Sequence, residues 1–372
     1  VTLSKNARAR AVQLPAWNEA LGLPRPWDQQ WSMRMQQILA HETDLLEFED
    51  LFDGNPAIDA KTDALIAAAR SELDQIEAMG GAMAAVGHMK SRLVESNAAR
   101  IARIESGETI VVGVNKWTES EESPLTTGPN TILEVDPAAE RDQITALANW
   151  KADRDDDAVA TALDALRSAA ASGENIMPTS IAAAKAGVTT GEWGEAMRSA
   201  FGLYRAPTGI SATPSNQTEG LDQLRSRVDV ISDRLGRRLR LLVGKPGLDG
   251  HSNGAEQIAL RAQACGIEID YQGIRLTPDE IVTSAREGGA HVIGLSILSG
   301  SHMPLVKETI NQLAANGLGE IPIVVGGIIP PEDAQKLKDM GVAQVYSPRD
   351  FEISNIIAEI LDIVDSRPVA AE

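Results

Sequence analysis

The chain has 372 residues, 34 of them basic and 53 acidic, for a formal net charge of −19. Its length supports two or three domains, and its charge argues against a nucleic-acid or anionic-membrane surface, because phosphate would be repelled at long range. The single cysteine, Cys265, excludes an intrachain disulfide framework and a multi-thiolate zinc site, and its expected role is helix packing.

Residues 1 to about 25 show little periodicity and are read as a loop-and-helix remnant. From Trp27 to Leu46, Ala57 to Met79 and Gly81 to Glu105, apolar residues return every three or four positions, as in Leu65, Ala68, Leu73 and Ile76, which predicts amphipathic helices. Thr109 to Val114 is a short β-rich run, and Thr118 to Asn130 is a loop rich in Ser, Glu, Pro and Gly. Helices follow at Pro137 to Lys151 and Asp156 to Ala171. Met177 to Leu203 reads as a helix pair broken at Gly187 to Gly191, with Thr189 or Thr190 capping the second member. Residues 207–218 have linker composition and mark a domain boundary.

After a charged helix, Leu221 to Arg234, strands and helices alternate. Strands are expected at Arg240 to Val243, Glu268 to Tyr271, Val292 to Ser296, Ile323 to Val325 and Gln344 to Tyr346. Helices are expected at Ala255 to Cys265, Pro278 to Gly288, Met303 to Ala315, Pro331 to Met340 and Glu352 to Val364. This alternation means an α/β domain with a five-stranded parallel sheet covered on both faces, in the flavodoxin-like (Rossmann-type) order 2-1-3-4-5. No apolar run approaches the roughly 20 residues of a spanning helix, and no charged-then-apolar leader opens the chain, so a cytoplasmic setting is expected.

Three loops at the carboxyl edge of that sheet carry the chemistry. The first, Asp249-Gly250-His251-Ser252-Asn253-Gly254, puts a histidine on a glycine-loosened loop where open α/β sheets bind ligands, with an aspartate placed to orient its ring. That is the pattern of a metal ligand, and Lys245 is a candidate partner for Asp249. The second is Ser296-Ile297-Leu298, and the third is Gly326-Gly327. Between Gly254 and Ser296 lie 41 residues, and between Leu298 and Gly326 lie 27. Tyr346-Ser347-Pro348 ends the fifth strand on the same edge, and His302 is a further candidate contact there. His41, His88 and His291 are expected to be satisfied structural residues.

Taken together, these loops and separations resemble the signature of cobalamin-binding domains in which a protein histidine ligates cobalt. The resemblance implies that Lys245, Asp249, Gly250, His251, Ser252, Gly254, Ser296, Leu298, Gly326 and Gly327 bind the cofactor, with His251 as the axial cobalt ligand in place of the cofactor's dimethylbenzimidazole. It further implies that the displaced nucleotide tail enters the cleft between the first and third strands, where Ser296 hydrogen-bonds the benzimidazole and Gly326 and Gly327 leave it room.

Upstream, Asn18-Glu19-Ala20-Leu21-Gly22-Leu23-Pro24, Ile110-Val111-Val112-Gly113-Val114-Asn115-Lys116 and Phe201-Gly202-Leu203-Tyr204-Arg205-Ala206-Pro207 resemble the adenosylcobalamin-dependent acyl-CoA mutase family, of the methylmalonyl-CoA mutase type. Pro24-Arg25-Pro26-Trp27-Asp28-Gln29-Gln30-Trp31 and Val345-Tyr346-Ser347-Pro348-Arg349-Asp350-Phe351 are similar to its ethylmalonyl-CoA branch. The resemblance implies a radical carbon-skeleton rearrangement, with adenosylcobalamin as cofactor and ethylmalonyl-CoA becoming methylsuccinyl-CoA. It divides the chain into the end of a substrate (β/α)₈ barrel at 1–45, a mainly helical region at 46–206, a linker and lead-in helix at 207–237, and the cobalamin-binding domain at 238–372.

A complete barrel takes roughly 200 to 250 residues, so no catalytic residue is assigned. The chain alone is expected to bind cofactor without turnover, as a fragment of a longer mutase or as a subunit whose partner brings the barrel; Val1 in place of an initiator Met favours the fragment. The acyl-CoA would be met only through that barrel, nucleic acid and membrane are not expected partners, and exposed apolar surface favours a homo-oligomer or association with the barrel partner. The alternatives are part of a methylmalonyl-CoA mutase, a corrinoid methyl-transfer protein, marked by a four-helix cap just before the sheet domain, and a cobalamin carrier or sensor.

Overall fold

A computed structural model describes residues 13–16, 18, 23–119, 121, 136–210 and 221–367. Most of the remnant expected at 1–25, of the loop at 118–130 and of the linker at 207–218 lies outside the described residues. The chain divides into two compact units, one made of 1–133 with 207–372 and the other of 134–206.

Three helices open the first unit: α1 (Pro26–His41), α2 (Pro56–Ala78) and α3 (Val86–Glu105). Proline at the first turn starts α1 and α2, where its missing N–H costs nothing. Asn55 caps α2 by accepting from the N–H groups of Ala57 and Ile58. The β-rich run at 109–114 does not become a strand; it folds into a turn with one isolated bridge between Val112 and Lys116. Asn115 is the cause. Its side chain accepts from Val111 N–H and donates to the carbonyls of Ile104 and Thr109, taking backbone groups that a ladder would need.

The second unit is all helix: α4 (Pro137–Asp153), α5 (Asp156–Ser172), α6 (Met177–Ala186) and α7 (Thr190–Phe201). The break between α6 and α7 falls where glycine and threonine place it. Gly187 ends α6 with a left-handed φ of 95°, and Thr189 caps α7 in a capping box with Glu192. Leu166, Ala170, Ala196 and Met197 form its buried centre. Around this small core, Arg154 grips Glu192 through two bonds of 2.7 and 2.8 Å and also donates to the carbonyl of Gly187.

The first unit resumes with α8 (Asp222–Leu235), followed by β1 (Arg240–Gly244), α9 (Asn253–Ala264), β2 (Glu268–Tyr271), α10 (Pro278–Gly288), β3 (Val292–Ile297), α11 (His302–Ala315), β4 (Ile323–Gly327), α12 (Pro331–Asp339), β5 (Gln344–Tyr346) and α13 (Ile353–Asp365). The sheet order is β2-β1-β3-β4-β5, with every pairing parallel, as the alternation of strands and helices requires. Successive residues of each strand feed opposite cores. Leu241 and Val243 pack with α8, α9 and α13, whereas Leu242 packs with α10, α11 and α12. Between β1 and β3 the strand order reverses, and the carboxyl ends there diverge into a crevice.

The Glu192 carboxyl is held well below its ordinary value by the Arg154 guanidinium; burial works against this, and the N–H and hydroxyl of Thr189 reinforce it. A depressed carboxyl stabilises the fold fully above its unfolded value near ~4.3 and progressively less below it. Glu192→Gln is therefore expected to speed amide exchange in α5 and α7 at neutral pH, with the gap from wild type shrinking below about pH 4. Leu166→Ala, at the buried centre, should cost about 2–5 kcal/mol whatever the pH, measured by the same exchange.

Candidate cofactor site

The geometry is built at the carboxyl ends of β1, β3 and β4. Asp249, on the loop after β1, is almost fully buried and uses both oxygens. One accepts from the backbone N–H of His251 at 3.0 Å and meets Nδ1 of the same residue at 2.7 Å; the other accepts from the N–H of Leu298 at 3.1 Å. Burial pushes this carboxyl upward, but the His251 bonds, the Lys245 charge and the Leu298 bond outweigh it and hold it at about 2. The aspartate is thus an anion at any physiological pH. It selects the His251 tautomer with hydrogen on Nδ1, leaving Nε2 with its lone pair free. The His251 side chain is 79% exposed, so that lone pair is open to a ligand.

Lys245 ends the β1 edge and is 1% exposed. Its Nζ donates to the Ser296 carbonyl at 2.9 Å and lies farther from the Ser296 hydroxyl, 3.4 Å, and Asp249, 3.5 Å. Burial lowers its pKa, and Asp249 works in the opposite direction. The expected pairing with Asp249 is present but long. Its shortest bond ties the end of β1 to the end of β3, a main-chain contact that side-chain types do not announce.

On the sheet face beneath α9 and α13, side chains shrink toward the carboxyl edge. β3 presents Val292, Gly294 and Ser296 there, and β4 presents Val324 and Gly326. Ser296 and Gly326 are register partners. The result is a crevice of about 370 Å³, floored by Val243, Gly294 and Val324 and flanked by Gly254, Ser296, Leu298, Gly326 and Gly327. A Cβ on Gly326 or Gly254 would meet nothing within 4 Å, so these glycines keep the space empty. Gly327 has the opposite reason: its Cβ would lie 1.8 Å from the Ile297 carbonyl oxygen across the ladder.

Tyr346, Ser347 and Pro348 line the same crevice, and Gly294 joins them, although sequence reading passed it over. Its signal was available, because it alternates with Ser296 on one face of an otherwise bulky strand. Gly250 stands outside the crevice beside the Arg275 guanidinium, and Ser252 accepts a 3.3 Å bond from Lys90 of α3. Lys90 also pairs with buried Glu256, an attachment from far upstream.

The other histidines lie away from the crevice lining. His302 is buried and faces Asp333 at 2.9 Å. His291 accepts from the N–H of Arg240, and burial, followed by Arg237 and Arg240, presses its pKa to about 4. His41 sits in the last turn of α1. His88 departs from expectation, since its buried Nε2 has no hydrogen-bond partner among the described residues. Among the described residues no three His, Cys, Asp or Glu side chains cluster as a metal cage. One free imidazole nitrogen beside an apolar crevice suits a metal that arrives already ligated by an organic ring, and not a bare ion.

Residues 7–203, more than half of the chain, match the family model described as methylmalonyl-CoA mutase. The chain belongs to the methylmalonyl-CoA mutase family. Residues 239–349 match the model of the B12 binding domain, so the sheet and the strand ends that floor the crevice belong to that domain. The chain is 65% identical to ethylmalonyl-CoA mutase of Cereibacter sphaeroides over 372 residues, which is 100% of this chain and 57% of that protein. It is 59% identical to ethylmalonyl-CoA mutase of Methylorubrum extorquens over 368 residues, 98% of this chain and 53% of that protein. Methylmalonyl-CoA mutase of Cereibacter sphaeroides is 34% identical over 362 residues, 95% of this chain and 50% of that protein. The chain therefore spans about half the length of these curated relatives.

The two neighbouring glycines of this mutase-family chain should respond differently to a methyl group. Gly327→Ala must push β3 and β4 apart and should destabilise the sheet by about 1–3 kcal/mol, whereas Gly326→Ala should leave the unfolding free energy from urea titration within about 0.5 kcal/mol of wild type.

Proposed function

We propose that this chain is the cobalamin-carrying portion of an adenosylcobalamin-dependent acyl-CoA mutase, an intramolecular transferase that converts ethylmalonyl-CoA to methylsuccinyl-CoA. The observation that carries the reading is the Asp249–His251 pair, with its free Nε2, at the carboxyl edge of the sheet beside the apolar crevice. Membership of the mutase family and the B12 binding domain support it. The ethylmalonyl preference is supported by 65% and 59% identity to the two ethylmalonyl-CoA mutases against 34% to the methylmalonyl enzyme.

His251 Nε2 would hold the cobalt, and Asp249, as a fixed anion, would orient the imidazole. Lys245 Nζ also faces the Ser296 hydroxyl oxygen as a donor at 3.4 Å, which would leave the hydroxyl proton free to bond the nitrogen of the benzimidazole. Gly254, Gly326 and Gly294 would give the tail passage, and the apolar floor would exclude water around it. The chemistry supplied by the bound group is homolysis of its cobalt–carbon bond, which starts the radical rearrangement. The acyl-CoA would be held by a barrel beyond these residues. Trp27, Trp31, Met33 and Met35 of α1 are exposed, which supports an association that covers them.

Corrinoid methyl transfer is the second reading, because α4 to α7 do form a four-helix unit ahead of the sheet domain. That unit lies within the mutase match at 7–203, which weighs for the mutase.

Absorption spectra of the chain mixed with adenosylcobalamin or methylcobalamin test the ligation. The wild type should give the spectrum of a histidine-ligated cofactor whose own base is displaced, His251→Ala should lose it, and Asp249→Ala should bind about 10- to 100-fold more weakly. Gly326→Ala should fold normally yet bind poorly. A wild-type spectrum with the cofactor's own base still on cobalt would sink the proposal. Turnover of ethylmalonyl-CoA over methylmalonyl-CoA, after addition of a barrel-containing partner, tests the substrate.

A further inference from the structure

The crevice has a wall that its own domain does not supply. Arg100, Ile101 and Ile104 of α3 line it, more than 130 residues upstream of β1. Five polar ties fix that helix in place. Lys90 bonds Ser252 and Glu256 at one end. In the middle, Gln257 Nε2 donates to the Val94 carbonyl at 3.3 Å. At the far end, Glu105 takes the Arg261 guanidinium at 2.8 Å with one oxygen and the Ile353 N–H at 3.0 Å with the other. The helix is thereby joined both to α9 and to the first residue of α13, the two helices that flank the crevice.

Two charged side chains line the cavity, Arg100 and Asp350. Asp350 turns back on its own loop, where its Oδ2 accepts from the N–H and hydroxyl of Ser347 at 2.7 and 3.1 Å. Arg100 makes no hydrogen bond or ion pair among the described residues, whereas Arg92 on the same helix pairs with Glu72 and Glu95. In a chain carrying 19 surplus negative charges, carboxylates to neutralise an arginine are plentiful. Arg100 is exposed, and with no carboxylate partner among the described residues its guanidinium at the side of the apolar crevice is placed to meet an anionic ligand; its planar fork suits phosphate oxygens. The nucleotide tail of cobalamin carries one such anion, the phosphodiester between its aminopropanol and ribose.

We propose that α3 completes the tail site and that Arg100 is the counter-charge of the tail phosphodiester. This rests on the assignment of the crevice to the nucleotide tail. Arg100 would thus be a binding residue that discriminates complete cobalamin from corrinoids lacking the tail.

The test uses the full chain titrated with adenosylcobalamin and with adenosylcobinamide, which has the corrin and cobalt but no phosphate, ribose or base. Arg100→Gln should weaken adenosylcobalamin binding about tenfold and leave adenosylcobinamide binding unchanged, with affinity partly restored in Arg100→Lys. Raising salt from 50 to 500 mM should weaken cobalamin binding to the wild type more than to Arg100→Gln. Equal cobalamin affinity for wild type and Arg100→Gln, or an equal loss for both ligands, overturns the role of Arg100 and leaves the His251 assignment standing. Failure of the wild type to displace the cofactor's own base removes both.

Discussion

Asp249 is where the loop after β1 meets the loop after β3. With three hydrogen bonds on its two oxygens and the Lys245 ammonium close by, it stays ionised inside the protein and turns two separate strand ends into one platform. A buried carboxylate without such partners would take up a proton and lose its hold on the imidazole. Around it, the same edge supplies the crevice by subtraction. Gly294 and Gly326 each follow a valine two residues back on the same face of the strand, and Ser296 follows Gly294, so the helix layer has few side chains to rest on and space remains. Fixed charge on one side and missing volume on the other are the two ingredients of this site.

Much of this arrangement was legible in the residues themselves. Strand lengths, helix spacing and the glycine-bearing loops led to the parallel sheet and its order, since a doubly covered strand must be apolar through its buried length, as Leu241 to Gly244 is. The loops were legible because Asp, His, Ser and Gly were confined to strand ends. The β-rich run at 109–114 misled for a physical reason. Strand propensity measures how a side chain suits a pleated surface, and it is blind to one asparagine that diverts three backbone groups into a turn.

Long-range contacts stayed hidden for another reason. The Lys245 bond ends on a main-chain oxygen 51 positions away, and every residue type has that oxygen. The approach of α3 to α9 depends on Lys90, Gln257 and Glu105, ordinary polar residues on helices that would be equally at home in solvent. Only the fold makes them neighbours. His88 was expected to be satisfied, yet its buried Nε2 lacks a hydrogen-bond partner among the described residues, which no pattern of neighbouring residues could have foretold.

The attachment of α3 also bears on what can be inherited as a working receptacle. A gene segment encoding only 239–349 would transfer the platform and the strand floor but lose α8, α13 and the α3 wall, leaving α9 as the one helix on the crevice face. The portable piece includes α3 at 86–105 as well as 221–367. Recombination between proteins of this kind should therefore favour exchanges that keep that helix and the sheet on the same side of the crossover.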